Sequence, residues 1–222
     1  MSPSCQPYTI LSPAPKDSSD PRAKSFLHLI NNILPSLTTF NALPGRLLVE
    51  NVAGFEVSLS CNPPLFLLNL DYKTSLTRQS LITVLSQLGY NVLEFLLTPL
   101  AFGIPNSRLR YYLLARFEPF SLPTETSTAE ILRCIPGRGM AWTDGTDKTD
   151  VIPGAKVVRD YLDREKSDLD NCAIPPRVLE KWGRLFDIVL PVSRRTCCFT
   201  RGSPISHQFC KPSDHLQGTP RW

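Results

Sequence analysis

Two segments with helical periodicity are each followed by a short apolar run of strand length, and this alternation constrains the fold more than any other feature of the chain. Apolar residues recur with helical spacing over residues 24–37 and again over 74–88, where Gly89 ends the pattern. The runs at 46–52 and 90–97 have the length and apolar content of buried strands, the first as part of a parallel sheet. Helix followed by strand, twice, predicts a crossover α/β unit built on an open sheet.

One more strand and two short helices are predicted further along the chain. A third apolar run covers residues 111–117, directly after a loop with two arginines. The stretch 118–155 is rich in Pro, Thr, Ser and Gly and has weak periodicity, which predicts a linker or excursion. Helical patterns return at 156–162 and 177–186. We therefore expect a domain boundary within 118–155.

Composition excludes several classes of protein. The chain has 24 Lys and Arg against 20 Asp and Glu, a net charge of +4 that does not by itself mark a nucleic-acid binder. Seven cysteines without a C-x-x-C pair, and only three histidines, disfavour a metal site. No apolar run has the length of a membrane span or of a signal-peptide core. We expect an intracellular protein with reduced thiols and no membrane contact.

Three short segments carry side chains that together could activate a heteroaromatic ring. A thiolate is a strong nucleophile, a carboxylic acid can donate a proton to a ring, and a guanidinium can hold a carbonyl oxygen. The candidate residues are Cys5 with Gln6, Glu50 with Asn51, and Arg108 with Arg110. From spacing alone, a frayed terminal cysteine, a capping acid and a solvated arginine pair remain the alternative interpretation.

Four motifs occur in an informative order: SPSCQPYT, LLVENVAGFE, GIPNSRLRYYLLAR and RRTCCFTRG. In that order they resemble the cytosine-5 methyltransferase family, and most closely its tRNA (aspartate) branch. In that family a Pro-Cys-Gln loop supplies the nucleophile, a Glu-Asn-Val strand end supplies the acid, and an Arg-x-Arg segment contacts the base. The matching residues are Cys5 and Gln6, Glu50 and Asn51, and Arg108 and Arg110.

The resemblance implies a covalent mechanism. The Cys5 thiolate would add to carbon 6 of a flipped-out cytosine while Glu50 protonates ring nitrogen 3. Arg110 would hold the carbonyl oxygen of the base, and Arg108 would lie near the Cys5 loop or the phosphates. Carbon 5 would then take the methyl group of S-adenosylmethionine, after which a base removes the proton from carbon 5 and the thiol leaves.

The resemblance also implies a target-recognition region, because a Cys-Phe-Thr triplet is peculiar to the tRNA-modifying branch. We expect this region to contact the anticodon loop, with arginines on the phosphates. A solvated basic turn is the alternative, and Phe199 could belong to a core as well as stack on a base. The expected RNA-binding residues are Arg194, Arg195, Cys198, Phe199, Thr200 and Arg201.

The chain departs from the family pattern at several places. The family's cofactor-binding strand and glycine-rich turn precede the Pro-Cys-Gln loop, so the motif that binds S-adenosylmethionine is largely missing here. Residues 203–222 match nothing in the family's closing block, and residues 59–73 have no family counterpart. Ser4 replaces the usual proline before the nucleophile, which should loosen the loop.

We therefore expect a truncated family member with a partial Rossmann-like class I methyltransferase sheet and part of a small target-recognition domain. The expected parts are 1–117 as the later catalytic domain, 118–155 as linker, 156–202 as partial target-recognition region and 203–222 as divergent tail.

The expected function is methyl transfer to carbon 5 of cytosine in tRNA, with the isolated chain itself incompetent. Two alternatives stay open, a catalytically dead RNA-binding or interaction fragment and a DNA cytosine-5 methyltransferase, although the Cys-Phe-Thr triplet favours RNA. The expected location is cytoplasmic and nuclear.

Overall fold

A computed structural model describes most of the N-terminal half of the chain and shorter pieces of the rest. The described residues are 1–8, 16–58, 73–121, 130–138, 156–162, 174–185 and 188–196. The chain divides into a first unit, Met1–Leu97 with Leu109–Trp142, and a second unit, Thr98–Arg108 with Thr143–Trp222. The expected insertion, apart from its last residue, and the expected divergent tail lie outside the described residues.

The predicted N-terminal helix is present, but it is interrupted by a wider turn. Pro35 has no N–H to donate to the carbonyl four residues before it, and the preceding residue Leu34 donates instead to Leu29, five residues back. Asn41 ends the helical segment in the left-handed region, with φ of 48°. The segment consists of 3-10 turn Pro21–Ala23, α1 Lys24–His28, π-helical turn Leu29–Ile33, α2 Leu34–Ser36 and 3-10 turn Leu37–Phe40.

The first unit holds one three-stranded sheet, one two-stranded ribbon and a longer helix among its described residues. The strands are β1 Arg46–Val52, β2 Val57–Ser58, β3 Lys73–Thr74, β4 Asn91–Leu97 and β5 Arg110–Arg116. Helix α3, Leu76–Gln87, lies between β3 and β4 in the chain, and Gly89, whose φ is 85°, follows its C-cap residue Leu88.

The sheet order differs from the simplest crossover unit. The three strands are ordered β1-β5-β4, and β5 is antiparallel to both neighbours. Strands β1 and β4 therefore run in the same direction, as a crossover through α3 requires, but they do not pair with each other. The third apolar run occupies the position between them, so within the sheet β1 pairs with the antiparallel β5 and not with a parallel strand as its composition suggested.

An aromatic cluster forms the centre of the first unit. The Phe55 ring is fully buried and lies 4.8 Å from the Tyr8 ring, 6.3 Å from Phe26 and 4.9 Å from Tyr111, measured between centroids. These rings come from the N-terminal loop, α1 and β5, and buried leucines of α3 join the same core. The core therefore fastens the N-terminal loop to the sheet.

A nearly buried polar network joins α3 to the sheet. The Arg78 guanidinium donates two hydrogen bonds of 2.7 Å to the Glu94 carboxylate, and the Tyr111 hydroxyl donates to the same carboxylate. Burial, followed by the charge of Glu94, raises the pKa of Tyr111, so this hydroxyl stays protonated. The network satisfies the polar groups that α3, β4 and β5 bury between them.

The second unit is organised around Thr196. Its hydroxyl donates to the Pro105 carbonyl at 2.7 Å and accepts from the Asn106 amide at 3.1 Å. Its own carbonyl accepts from the Ser107 N–H at 2.8 Å. The buried Thr196 therefore joins two of the four motifs, the Ile-Pro-Asn-Ser loop and the segment that begins with two arginines.

Of the two short helices predicted for the second unit, the first is a single 3-10 turn and the second is present. The turn covers Val158–Tyr161, and the N–H groups of its first two residues, Val158 and Arg159, donate to the carbonyls of Ser193 and Pro191. Helix α4 covers Pro176–Trp182 and continues into the 3-10 turn Gly183–Leu185. Among the described residues, no helix is both long enough and apolar enough to cross a bilayer.

We predict that Phe55→Ala lowers the free energy of unfolding by about 3–5 kcal/mol, since it empties the centre of the aromatic cluster. Phe40→Ala is the matched control, because the Phe40 side chain is 76% exposed, and it should change stability by less than about 0.5 kcal/mol. Urea unfolding followed by fluorescence measures both values. Equal effects of the two substitutions would contradict this description of the core.

Candidate active site

The first three residues lie along the outer edge of β1. The Met1 ammonium donates to the Leu48 carbonyl at 2.6 Å, and the Glu50 N–H donates to the Met1 carbonyl at 2.9 Å. Met1 thus bonds to both neighbours of Val49, and this is the hydrogen-bond pattern of a parallel strand pair. This pair of bonds, one rung of a parallel ladder, places the start of the chain beside the predicted acid.

Two side chains orient the Glu50 carboxylate. One oxygen accepts from the Ser2 hydroxyl at 2.6 Å, and the other lies 3.5 Å from Arg110 Nε. The Arg110 guanidinium also donates to the Leu109 carbonyl at 2.7 Å. The side chains of Glu50 and Arg110 are 32% and 18% exposed, so the pair is shielded but still open to a ligand. The predicted acid and one predicted base-contacting arginine therefore meet.

Asn51 connects the strand to the predicted nucleophile loop. Its buried side-chain amide lies 3.5 Å from the Pro3 carbonyl, and its side-chain oxygen accepts from the Val52 N–H at 2.8 Å. Cys5 follows Pro3 by two residues, which span at most about 7 Å. The Cys5 thiol is free and exposed. The structure thus brings the Cys5 loop, Glu50 and Asn51 together with Arg110, while their catalytic roles stay predictions.

Gln6 has a partner that the motifs did not indicate. Its side-chain oxygen accepts a hydrogen bond of 2.7 Å from Arg22 Nη1. Arg22 directly follows Asp20-Pro21, a pair typical of the start of a helix, and this Asp-Pro-Arg sequence is the signal from which Arg22 could have been found.

The remaining candidates belong to the second unit or lie outside the described residues. The Arg108 N–H donates to the Thr98 hydroxyl at 3.4 Å, within the second unit. Arg194 is exposed and Arg195 half-buried, directly before the buried Thr196. Four predicted RNA-binding residues lie outside the described residues: Cys198, Phe199, Thr200 and Arg201.

The second unit is strongly basic in the part that the structure describes. Its described residues include eight Lys or Arg and two Asp or Glu, although the whole chain is nearly balanced. Within the described ranges of either unit, no three His, Cys, Asp or Glu side chains are grouped so that they could hold a metal ion.

Curated proteins similar to this chain share one chemistry. A tRNA (cytosine(38)-C(5))-methyltransferase of Schizosaccharomyces pombe is 37% identical over 202 residues, which are 91% of this chain and 50% of that protein. A DNA (cytosine-5)-methyltransferase of Dictyostelium discoideum is 38% identical over 222 residues, covering 90% and 54%. The chain belongs to the cytosine-5 methyltransferase family. It spans about half the length of the curated relatives it matches.

The solved structures agree with this family. The crystal structure of the S. pombe Dnmt2 methyltransferase matches with a TM-score of 0.60 and 33% identity, over 98% of this chain and 55% of that one. No family model matches the chain. The resemblance noted from the four motifs is thus confirmed, and so is the expected partial methyltransferase fold. The expectation of a partial family sequence agrees with the share of the relatives' length that the chain covers.

Glu56 is a second residue near the family's Glu-Asn-Val strand end that the motifs did not single out. Its carboxylate accepts from the Gly54 N–H at 2.8 Å, which closes the turn after β1. Burial is the main effect on this group, and it raises the pKa of the Glu56 carboxyl above its ordinary value of 4.5. The charged form of Glu56, in the turn beside the predicted acid, is therefore less favourable in the folded chain than in the unfolded chain.

We predict that Glu56→Gln changes the free energy of unfolding more favourably at pH 7 than at pH 4. Because the folded carboxyl holds its proton to higher pH than the unfolded one, the stability of the parent chain falls as pH rises through the window above 4.5. A glutamine keeps an oxygen for the Gly54 N–H and does not titrate. Urea unfolding at both pH values measures the difference.

The exposed Glu118→Gln is the control for this prediction, and its effect on stability should differ less between the two pH values than that of Glu56→Gln. A Glu56→Gln effect that is the same at pH 4 and pH 7 would contradict the role of burial.

Proposed function

We propose that this chain carries the base-modifying part of an enzyme that methylates carbon 5 of cytosine in tRNA. The proposal rests on one observation above all: Ser2, three residues before Cys5, and Arg110 both reach the Glu50 carboxylate, although they are far apart in sequence. A nucleophile, an acid and a carbonyl-binding cation at one place are the groups that covalent activation of a pyrimidine requires.

The proposed chemistry begins with the Cys5 thiolate. Its electron pair forms a bond to carbon 6 of the cytosine, and the ring accepts a proton on nitrogen 3 from Glu50, so carbon 5 becomes nucleophilic. Arg110 holds the carbonyl oxygen and, through its contact of 3.5 Å, keeps the Glu50 carboxyl in place. After carbon 5 is methylated, a base removes its proton, the electron pair of that C–H bond forms the carbon 5–carbon 6 double bond, and the carbon 6–sulfur bond breaks to release the thiolate. Nitrogen 3 returns its proton to Glu50.

The methyl group has to come from a cofactor of the S-adenosylmethionine type, as the methyltransferase relatives imply. When bound, that cofactor supplies an electrophilic methyl group to carbon 5. We assign none of the described residues to holding it, and we propose that the isolated chain does not turn over.

The proposed substrate is the anticodon loop of a tRNA. The relatives named for cytosine 38 of tRNA support this substrate, and so does the basic character of the described second unit, since Lys and Arg neutralise phosphates. Arg194 and Arg195 are the proposed phosphate contacts there, together with Arg201, and Cys198, Phe199 and Thr200 the proposed neighbours of the bases. A cytoplasmic and nuclear location stays a prediction.

Duplex DNA is the second candidate substrate, because the Dictyostelium relative is named as a DNA methyltransferase. Its support is narrower, since several other relatives carry the tRNA name. A catalytically dead RNA-binding fragment is the remaining alternative.

We predict a covalent adduct between Cys5 and an aspartate tRNA transcript that contains 5-azacytosine, without added cofactor. The ring nitrogen at position 5 makes carbon 6 more electrophilic, so thiol addition does not need methyl transfer. Denaturing gels and peptide mass spectrometry detect the adduct. Glu50→Gln should slow its formation about 100-fold or more, because the substituted side chain cannot donate the proton.

Cys5→Ala should abolish the adduct, and Cys134→Ala, which removes the other free thiol of the described residues, should leave it unchanged. An adduct with duplex DNA alone would favour the second candidate. Retained tRNA binding without any adduct would overturn the enzymatic proposal in favour of the RNA-binding fragment.

A further inference from the structure

The nucleophile loop is held by a segment that follows it in the chain. The turn Cys5 to Tyr8 is closed by the Tyr8 N–H, which donates to the Cys5 carbonyl at 3.0 Å. The Asp17 N–H donates to the Pro7 carbonyl at 3.2 Å, and Arg22 reaches Gln6. The same short turn is therefore fastened at two of its residues.

The contact to Gln6 comes from a guanidinium whose orientation is fixed by Asp20. Arg22 Nε and Nη2 donate to the two Asp20 oxygens at 2.8 and 2.7 Å, and the remaining arm, Nη1, donates to the Gln6 oxygen at 2.7 Å. Two parallel bonds fix the plane of a guanidinium, which a single bond cannot do. The third bond thereby holds the Gln6 amide in one direction.

Asp20 is itself buried and fully hydrogen-bonded. Its side chain is 4% exposed and also accepts from the Arg22 backbone N–H at 2.9 Å, at the start of the helical segment. The hydrogen bonds from Arg22 lower the pKa of Asp20 to about 2, so the carboxylate stays charged at neutral pH. Arg22 is half-exposed, and its orientation depends on this buried partner.

A buried acid fixes the other end of the segment. The Asp17 carboxylate accepts from the Ser75 and Thr77 hydroxyls at 2.9 and 2.8 Å and from the Leu76 N–H at 2.6 Å. It thus caps α3 from 58 residues away in sequence. Asp17 adopts a φ of 46°, and this left-handed turn lets its N–H face Pro7 while its carboxylate faces α3.

We propose that Arg22, oriented by Asp20, is a positioning residue for the Cys5 nucleophile: it holds the Gln6 side chain and so the turn that carries the thiol. Arg22 does not touch the reacting atoms in this role. The proposal rests on the proposed function of Cys5, and it extends that function to a residue outside the four motifs.

Amide hydrogen exchange of the chain alone tests the contact without RNA or cofactor. In Arg22→Lys the positive charge remains, but the ammonium group cannot make the two parallel bonds to Asp20 together with the bond to Gln6. Exchange of the Tyr8 amide should therefore rise about tenfold. Asp20→Asn should have a similar effect. The Leu113 amide in the buried centre of β5 should change less than about twofold in either variant. Lys24→Ala, which removes an exposed charge two residues away, should leave both amides unchanged.

A double-mutant cycle separates the specific contact from general stability. Gln6→Ala removes the other partner at an exposed position, and the combined Gln6→Ala and Arg22→Lys chain should exchange at Tyr8 no faster than either single variant. Unchanged Tyr8 exchange in Arg22→Lys would overturn the proposal. A rise at Tyr8 that Leu113 follows in step would overturn it as well, because Arg22 would then only stabilise the fold.

The adduct assay then tests the consequence for chemistry. Arg22→Lys should slow adduct formation about tenfold or more, since a misplaced nucleophile loses its alignment, while tRNA affinity stays within twofold. Absence of an adduct in the parent chain would reject the proposed function and leave the exchange result intact. A parent adduct that forms at the same rate in Arg22→Lys would reject the positioning role alone.

Discussion

The candidate site depends on one backbone rung between the start of the chain and an edge strand. Met1 bonds to Leu48 and Glu50, on either side of Val49, and this places Ser2 on the Glu50 carboxylate and Pro3 on Asn51. These two backbone bonds set the position of the first residues along β1, and so of the thiol loop relative to the acid. The neighbouring aromatic contact between Tyr8 and Phe55 ties the far end of the loop into the core.

Buried or nearly buried carboxylates hold the neighbouring elements of the first unit in place. Asp17 caps α3, Asp20 orients Arg22, and Glu94 binds Arg78 and Tyr111. Each has its oxygens paired, as the cost of burying a charge requires. Glu50 differs, because it is only partly buried and is bonded to the Ser2 hydroxyl and to a guanidinium at 3.5 Å. That difference suits the proton transfer that we propose for Glu50.

The strength of local signals decided how much of the fold could be predicted. The strand predicted at 46–52 is observed as Arg46–Val52, and the helix predicted at 74–88 as Leu76–Gln87, because apolar pattern and terminating residues agree there. The wider turn before Pro35 and the single 3-10 turn at Val158–Tyr161 were not predicted. In the second case the turn is held by backbone bonds to Ser193 and Pro191, and the periodicity of a segment does not report such long-range bonds.

The sequence by itself determined the chemical inventory and the family, since ordered motifs keep the residue types that a reaction needs: a thiol at Cys5, an acid at Glu50 and a guanidinium at Arg110. Only the tertiary structure decided that Glu50 and Arg110 meet beside the loop that carries Cys5, that β5 lies between β1 and β4, and that Arg22 holds Gln6. The reason is physical. The residue types of a motif are present in a short stretch of sequence, whereas the distances between side chains depend on strand register and on hydrogen bonds between residues that lie far apart in the chain.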